Sequence, residues 1–416
     1  MTSIFPNDPA AASTASPAVV SVITPSMTLF FGAAVAIIVL NLYASQPLIG
    51  LIGPALGMSM ATASLITTFT LLGYAAGLIF LVPLVDLIAN RRLIVLTLVG
   101  CVFSLALASV APTAPLFLAT AVAVGLASTV IQMLVPVAAA LAPPEQRGRV
   151  VGNVMSGLMV GTLLSRPIAS LVAESFGWRS FYVMTAVLIA LLTVALAKIV
   201  PERQPPRGLR DGALIASLGT LLRQEPILRR RSAYQFLLMA AFSAFWTTVA
   251  LHLAAPPFNL GQRGIAWFAL AAAGAVMIAP VAGRLADGGW TRSMTRASQT
   301  TAVFSMLLTA AANGTWSLLQ PANTPSLSLG LLGIAAFLLS LGVTADQILG
   351  RHAINMLRPE ARGRLNGLYT GLMFLGGSLG AFVAGPAFAY GGWSLVCGVA
   401  TAFSLSALML STCERR

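Results

Sequence analysis

Long apolar runs alternate with short polar interruptions along this chain, and the runs have the length a bilayer demands. Crossing roughly 30 Å of hydrocarbon takes about 20 helical residues. Such runs fall at 27–50, 62–87, 93–111, 115–141, 150–173 and 180–200, and, after a polar stretch, at 233–255, 264–285, 297–315, 327–350, 365–389 and 393–411. The pattern predicts an all-α polytopic membrane protein with twelve transmembrane helices. Composition removes the soluble alternative. Charged residues make up 8% of the chain and hydrophobic ones 57%, whereas soluble domains carry about a quarter charged residues. No single soluble core would hide that much apolar surface.

The formal charge of +13 raises nucleic-acid binding, but its distribution speaks against it. With both termini placed on one side, 21 of the 24 basic residues fall in the loops and tails of that side. Arg179 and Arg263 alone fall in the opposite loops. This is the positive-inside asymmetry of a membrane protein, with cytoplasmic termini expected. One basic residue, Arg166, belongs to neither set. Cys101 and Cys397 lie in apolar runs and Cys413 in the C-terminal tail, so no structural disulfide is implied. Residues 1–26 lack the basic start of a signal peptide and read as a cytoplasmic tail.

The two halves are related. PPEQRGRVVGNVMSGLM precedes and enters the fifth run, and RPEARGRLNGLYTGLM stands before the eleventh. Glu145, Arg147, Gly148, Arg149 and Gly152 match Glu360, Arg362, Gly363, Arg364 and Gly367 at a constant offset of 215, as does Gly177-Trp178 with Gly392-Trp393. The repeat predicts a six-helix lobe over 27–200, a cytoplasmic linker over 201–231 and a second lobe over 232–416. Repeats of this kind accompany transporters with a midplane site between the halves.

At this point the chain resembles the major facilitator superfamily, over nearly its whole length. The family's hallmark between helices 2 and 3 is G-x-x-x-D-[RK]-x-G-x-[RK]-[RK]. Here Asp86, Arg91 and Arg92 remain, while Val82, Leu87 and Ala89 replace the other three positions; the later copy keeps Gly283, Asp287 and Arg292. NLYASQPL at 41–48, FSAFWTTVAL at 242–251 and RGRVVGNVMSGL at 147–158 are similar to a subgroup of bacterial efflux permeases labelled as sugar or drug exporters. The resemblance implies a monomeric secondary transporter of the bacterial cytoplasmic membrane, with Asp86, Arg91, Arg92, Asp287 and Arg292 in gating contacts. An antiporter motif ending G-x-x-x-G-P-x-x-G-G is kept only as Gly157 and Gly161, with Ser165-Arg166-Pro167 where the later Gly-Pro would stand. Both export and uptake therefore stay open.

Polar side chains deep in a span are costly and are functional candidates by default. Counted from Val150 at about 1.5 Å per residue, Arg166 lies roughly 24 Å along its helix. Substrate binding or coupling is one role for it. The alternative is a tied-off kink, because Pro167 leaves the Leu163 carbonyl without its helical donor. Asp346 is the one carboxylate well inside a run. Burial favours the protonated form of a carboxylate and a nearby cation the ionised form, so Asp346 is the candidate for proton coupling. A fixed ion pair with Arg166 or Arg351 is the competing reading. Gln132 and Gln347 match at the 215 offset and are expected to face each other across the lobes. They bind either a polar substrate or neighbouring helices, the latter at about 0.6 kcal/mol each. Asn41, Tyr43 and Gln46 on helix 1, with Trp246, Thr247 and Thr248 on helix 7, complete the expected cavity or serve as helix packing.

Several other motifs carry no such weight. GGSLG at 376–380 fits G-x-S-x-G but lies in a membrane helix rather than on a strand-turn-helix elbow, so close glycine packing explains it better. His252 and His352 stand on different lobes without a metal spacing, and no phosphate-loop motif occurs, so neither a metal, a cofactor nor enzymatic activity is expected. The expected function is proton-coupled export of a small organic compound that is neutral and polar, sugar-like, anionic or amphiphilic. The alternatives are a proton-coupled uptake permease and, in another class, a non-transporting receptor or assembly platform.

Overall fold

In a computed structural model, residues 23–202, 211–312, 325–358 and 361–413 are described, and among them all regular structure is helical. The first half comprises α1 (Pro25–Tyr43), α2 (Ser45–Ala55), α3 (Met60–Ala63), α4 (Leu65–Ala76), α5 (Asn90–Val110), α6 (Ala114–Ala127), α7 (Val130–Ala140), α8 (Arg147–Phe176) and α9 (Trp178–Ile199). The second comprises α10 (Asp211–Gln224), α11 (Pro226–Ala254), α12 (Gln262–Ala273), α13 (Ala279–Asp287), α14 (Thr291–Ala312), α15 (Pro325–Asn355) and α16 (Arg362–Thr412).

Nine stretches among the described residues are long and apolar enough to cross a membrane. One of them, α16, is two passes joined at Gly392, whose φ of 60° and ψ of −159° break the helix. Gln262 to Asp287, interrupted by a 3-10 turn, and α14, with arginines at its start, fall where two further runs are expected, and the described helices are consistent with twelve passes. Gly177, the repeat partner of Gly392, has φ 82° and ψ 157°. Glycine tolerates this left-handed φ where other residues are strained. At both places the chain reverses tightly and the following tryptophan, Trp178 or Trp393, is buried.

Local chemistry sets several other boundaries. Thr24 accepts a hydrogen bond from the Met27 N–H at 3.2 Å and Pro25 opens α1, satisfying one orphan donor and removing another. The end of the second pass winds into a π segment (Gly77–Leu81) and then a 3-10 segment (Val82–Asp86), with Pro83 unable to donate to an α-helical ladder. The stretch predicted as a plain linker contains α10. Its Leu221 shares a small core with Leu228, Ile354, Leu365 and Tyr369. Most of the expected tail, residues 1–22, lies outside the described residues.

Within the lobes the repeat reappears as packing: α8 lies along α1, and the first part of α16 lies along α11. A Cβ on Gly157 or Gly161 would strike the backbone of Gly32 or Ala36, and one on Gly376 or Gly380 that of Phe236 or Ala240. The glycines of GGSLG are thus packing residues, as expected. Between the lobes, α4 meets α16, α8 meets α12 and α2 meets α11. At the end of the bundle away from the arginine-rich loops, Arg263 of α12 approaches Glu174 of α8 at 3.6 Å. Nearer the middle, the Ser378 hydroxyl donates to the Thr68 carbonyl at 3.0 Å.

Candidate functional site

The close approach that Gly157 and Gly161 permit carries the next turn of α8 onto the end of α1. Ser165 donates to the Leu40 carbonyl at 2.6 Å. The adjacent Arg166 is thereby directed inward, only 7% exposed. Its Nε donates to Gln46 Oε1 at 2.8 Å. The guanidinium carbon lies 4.2 Å from the ring centroid of Trp246, 5.0 Å from that of Tyr43 and 5.5 Å from that of Phe242. Arg166 thus bonds a side chain on α2 and stacks on rings of both lobes. It does not bond the carbonyl that Pro167 frees on its own helix.

Five of the expected cavity residues share a further property. Asn41 Oδ1, Gln46 Nε2, Arg166 Nη2, Trp246 Nε1 and Thr247 Oγ1 are buried with no hydrogen-bond partner. Buried polar atoms are nearly always satisfied, because each one left unpaired costs about 1–3 kcal/mol. The five atoms stand on α1, α2, α8 and α11, and two of them, on Gln46 and Trp246, belong to residues that touch the guanidinium, which marks a site with unused hydrogen-bonding capacity.

Beneath it, on the arginine-rich side, a cavity of about 700 Å³ lies between the lobes. Gln132 and Pro136 of α7 line one wall; Arg364, Asn366 and Thr370 of α16 line another. Gln132 also donates to the Tyr74 hydroxyl at 3.5 Å, and the Tyr74 ring meets Phe374 of the other lobe edge-on at 4.6 Å. Tyr43 itself meets the guanidinium with its ring face.

Gln347 and Gln132 are not hydrogen-bonded to each other. The Gln347 amide donates to Met373 Sδ at 3.2 Å within its own lobe, as Gln132 turns to Tyr74 within the first. Asp346, on the same helix, is 1% exposed and accepts from Gln299 Nε2 at 3.2 Å. Gln299 in turn accepts from the Ser411 hydroxyl. Arg231 donates to Thr295 on the same helix as Gln299. Neither Arg166 nor Arg351 forms an ion pair with it. Asp346 thus belongs to a polar cluster inside the second lobe, apart from the Arg166 site.

The remaining candidates sit at the arginine-rich end. Asp287 Oδ1 lies 3.5 Å from His352 Nδ1, a contact within the second lobe rather than between lobes. Arg92 and Arg292 are exposed and Arg91 is partly buried at their helix starts; the side chain of Asp86 lies outside the described residues. Phe242, Tyr74, Gln299 and Arg231 escaped the sequence reading. Phe242 stands inside the quoted FSAFWTTVAL as one more apolar residue. Gln299 lies near the start of the run predicted over 297–315, among polar residues that do not single it out.

Among the described residues, apolar membrane-length helices consistent with twelve passes pack around a buried polar site, with a cavity between helices of the two halves, an arrangement of transporter kind. The sequence profile of the Major Facilitator Superfamily matches residues 29–353. The chain is 37% identical over 389 residues to YgaY of Escherichia coli, a protein named as an uncharacterized transporter, covering 93% of this chain and 95% of that one. It is 34% identical over 371 residues to a protein of Streptomyces coelicolor named as a transporter, covering 88% and 83%. A chloramphenicol resistance protein of Streptomyces lividans is 25% identical over 241 residues, 56% of this chain and 59% of that one. Among solved structures, the nucleoside transporter NupG aligns with a TM-score of 0.69 at 13% identity, and the human organic anion transporter MFSD10 with 0.64 at 16%; each alignment covers 92% of this chain and 98% of the other. The chain belongs to the major facilitator superfamily of membrane transporters.

Proposed function

We propose that the chain is a proton-coupled secondary active transporter that exports a small organic compound across the bacterial cytoplasmic membrane by alternating access, as a monomer with both termini in the cytoplasm. The observation that carries this reading is the contact of Arg166 with Gln46 of its own lobe and with Trp246 of the other, each of the three holding a buried polar atom without a partner. Such atoms find partners when a substrate enters or when water reaches them in the opposite conformation. The cavity below, and the Arg263–Glu174 contact above, support a state open towards the arginine-rich, cytoplasmic side. In this reading Asp346 exchanges the proton, and Asp86, Arg91, Arg92, Asp287 and Arg292 act at the cytoplasmic gate. A relative named as a chloramphenicol resistance protein supports export over uptake.

The test is substrate-dependent proton movement in proteoliposomes holding the purified chain and a pH-sensitive dye, with compounds of each charge class offered in turn. Proton efflux or influx tied to one compound supports the reading, and its sign relative to substrate flux separates export from uptake. No proton movement with any class leaves a non-transporting platform as the better account.

A further inference from the structure

Resting on the lobe interface as the transport site, the balance of donors and acceptors there narrows what it can hold. Three of the unpartnered atoms are N–H donors: Arg166 Nη2, Gln46 Nε2 and Trp246 Nε1. One is a pure acceptor, Asn41 Oδ1, and one is a hydroxyl, Thr247 Oγ1. The unpartnered atoms of Arg166 and of the two residues touching it, Gln46 and Trp246, are all donors, which suits an acceptor-only group better than the hydroxyls of a sugar.

Charge decides further. The guanidinium is 7% exposed and has no carboxylate partner among the described residues. Asp346 is the one buried carboxylate among the described side chains, and it is held by Gln299 in the second lobe. Glu174, eight residues farther along α8 and therefore about 12 Å away along the axis, is at the bundle end with Arg263. A buried cation without a counter-ion is costly, and an incoming oxyanion would offset that cost with charge-assisted hydrogen bonds. A cationic substrate would add to it.

The geometry also presents the guanidinium in a usable way. Trp246, Tyr43 and Phe242 stand about the guanidinium carbon, and Gln46 occupies Nε. Nη2 is left as a donor, and so is Gln46 Nε2. The same rings offer apolar walls to whatever is attached to the anion.

We propose that the transported compound is an organic anion in which a carboxylate is attached to an aromatic or similarly flat apolar body, with the carboxylate taken by Arg166, Gln46 and Trp246. The full-length purified protein in detergent provides the test. Binding of 1-naphthoate, the neutral 1-naphthamide, the cationic 1-naphthylmethylamine and glucose is read by thermal shift and by calorimetry. The carboxylate should bind at least tenfold more tightly than the amide, with no binding by the amine. Arg166→Gln should bring carboxylate and amide to equal affinity, and Arg166→Lys should keep the preference at reduced affinity, with both variants melting cooperatively. Tighter binding of the amide, the amine or glucose, absence of binding by the carboxylate, or a carboxylate preference that Arg166→Gln leaves intact would overturn the proposal. Because this selectivity is read without a membrane gradient, its failure is distinct from the absence of proton movement that would count against transport itself.

Discussion

Arg166 of the first lobe lies 4.2 Å over the ring of Trp246 in the second. The lobe interface is thus held at its centre by a cation and an aromatic face, not by an ion pair. Such a contact breaks without leaving two unpaired charges, which suits an interface that must open.

Removing that face should weaken both the closed interface and ligand binding. A desolvated cation–π contact contributes up to about 2 kcal/mol, so Trp246→Leu should reduce affinity for a bound ligand by roughly 10- to 30-fold. Trp246→Phe, which keeps a ring but loses the indole N–H, should fall between Leu and wild type. Calorimetric titration of the three proteins checks the order.

Asp346→Asn should abolish transport driven by a proton gradient while preserving substrate exchange between the two sides. The asparagine carbonyl can still accept from Gln299, so the cluster with Ser411 survives without an ionisable group. Uptake and counterflow measured on the same proteoliposomes separate the two activities. Unchanged driven transport would remove Asp346 from the coupling step.

The glycines of α8 and α16 should be intolerant of even a methyl group. Gly161→Ala and Gly380→Ala each push a Cβ into a neighbouring backbone, and overpacking costs about 1–3 kcal/mol. Both should lower the melting temperature, whereas Gly398→Ala, which meets nothing within 4 Å, should not. Fluorescence-detected size exclusion after heating gives the comparison.

The Arg263–Glu174 contact should bias the conformational balance only slightly. Both side chains are solvent-accessible, and exposed pairs contribute about 0–1 kcal/mol. Glu174→Gln should therefore raise the population open on that side by no more than about fivefold. Labelling of a cysteine placed at Gly50, which faces Leu251 of the other lobe, reads that population. A larger change would mean the pair has a greater part in closure than its exposure allows.

The helices, their number and their pairing by repeat were legible from the chain alone. Bilayer thickness sets the length of each pass and arginine disfavours burial in lipid, so hydropathy and charge placement carry that information locally. The prominence of Arg166 was also legible, because no loop accounts for it. What stands near it was not. Gln46 is 120 residues away in sequence and Trp246 eighty, and only the packing of α8 on α1 and of α2 on α11 brings them together. The same limit explains Gln132 and Gln347. Their equivalent positions follow from the 215-residue repeat, but which way each amide turns depends on Tyr74 and Met373, which are not repeat equivalents. Asp346 is the sharpest case. One-dimensional depth placed it among residues that face a cavity, whereas the rotation of α15, set by its contact with α14, turns it towards Gln299 inside the lobe. Depth in a membrane is a property of the sequence; azimuth around a helix is settled by its neighbours.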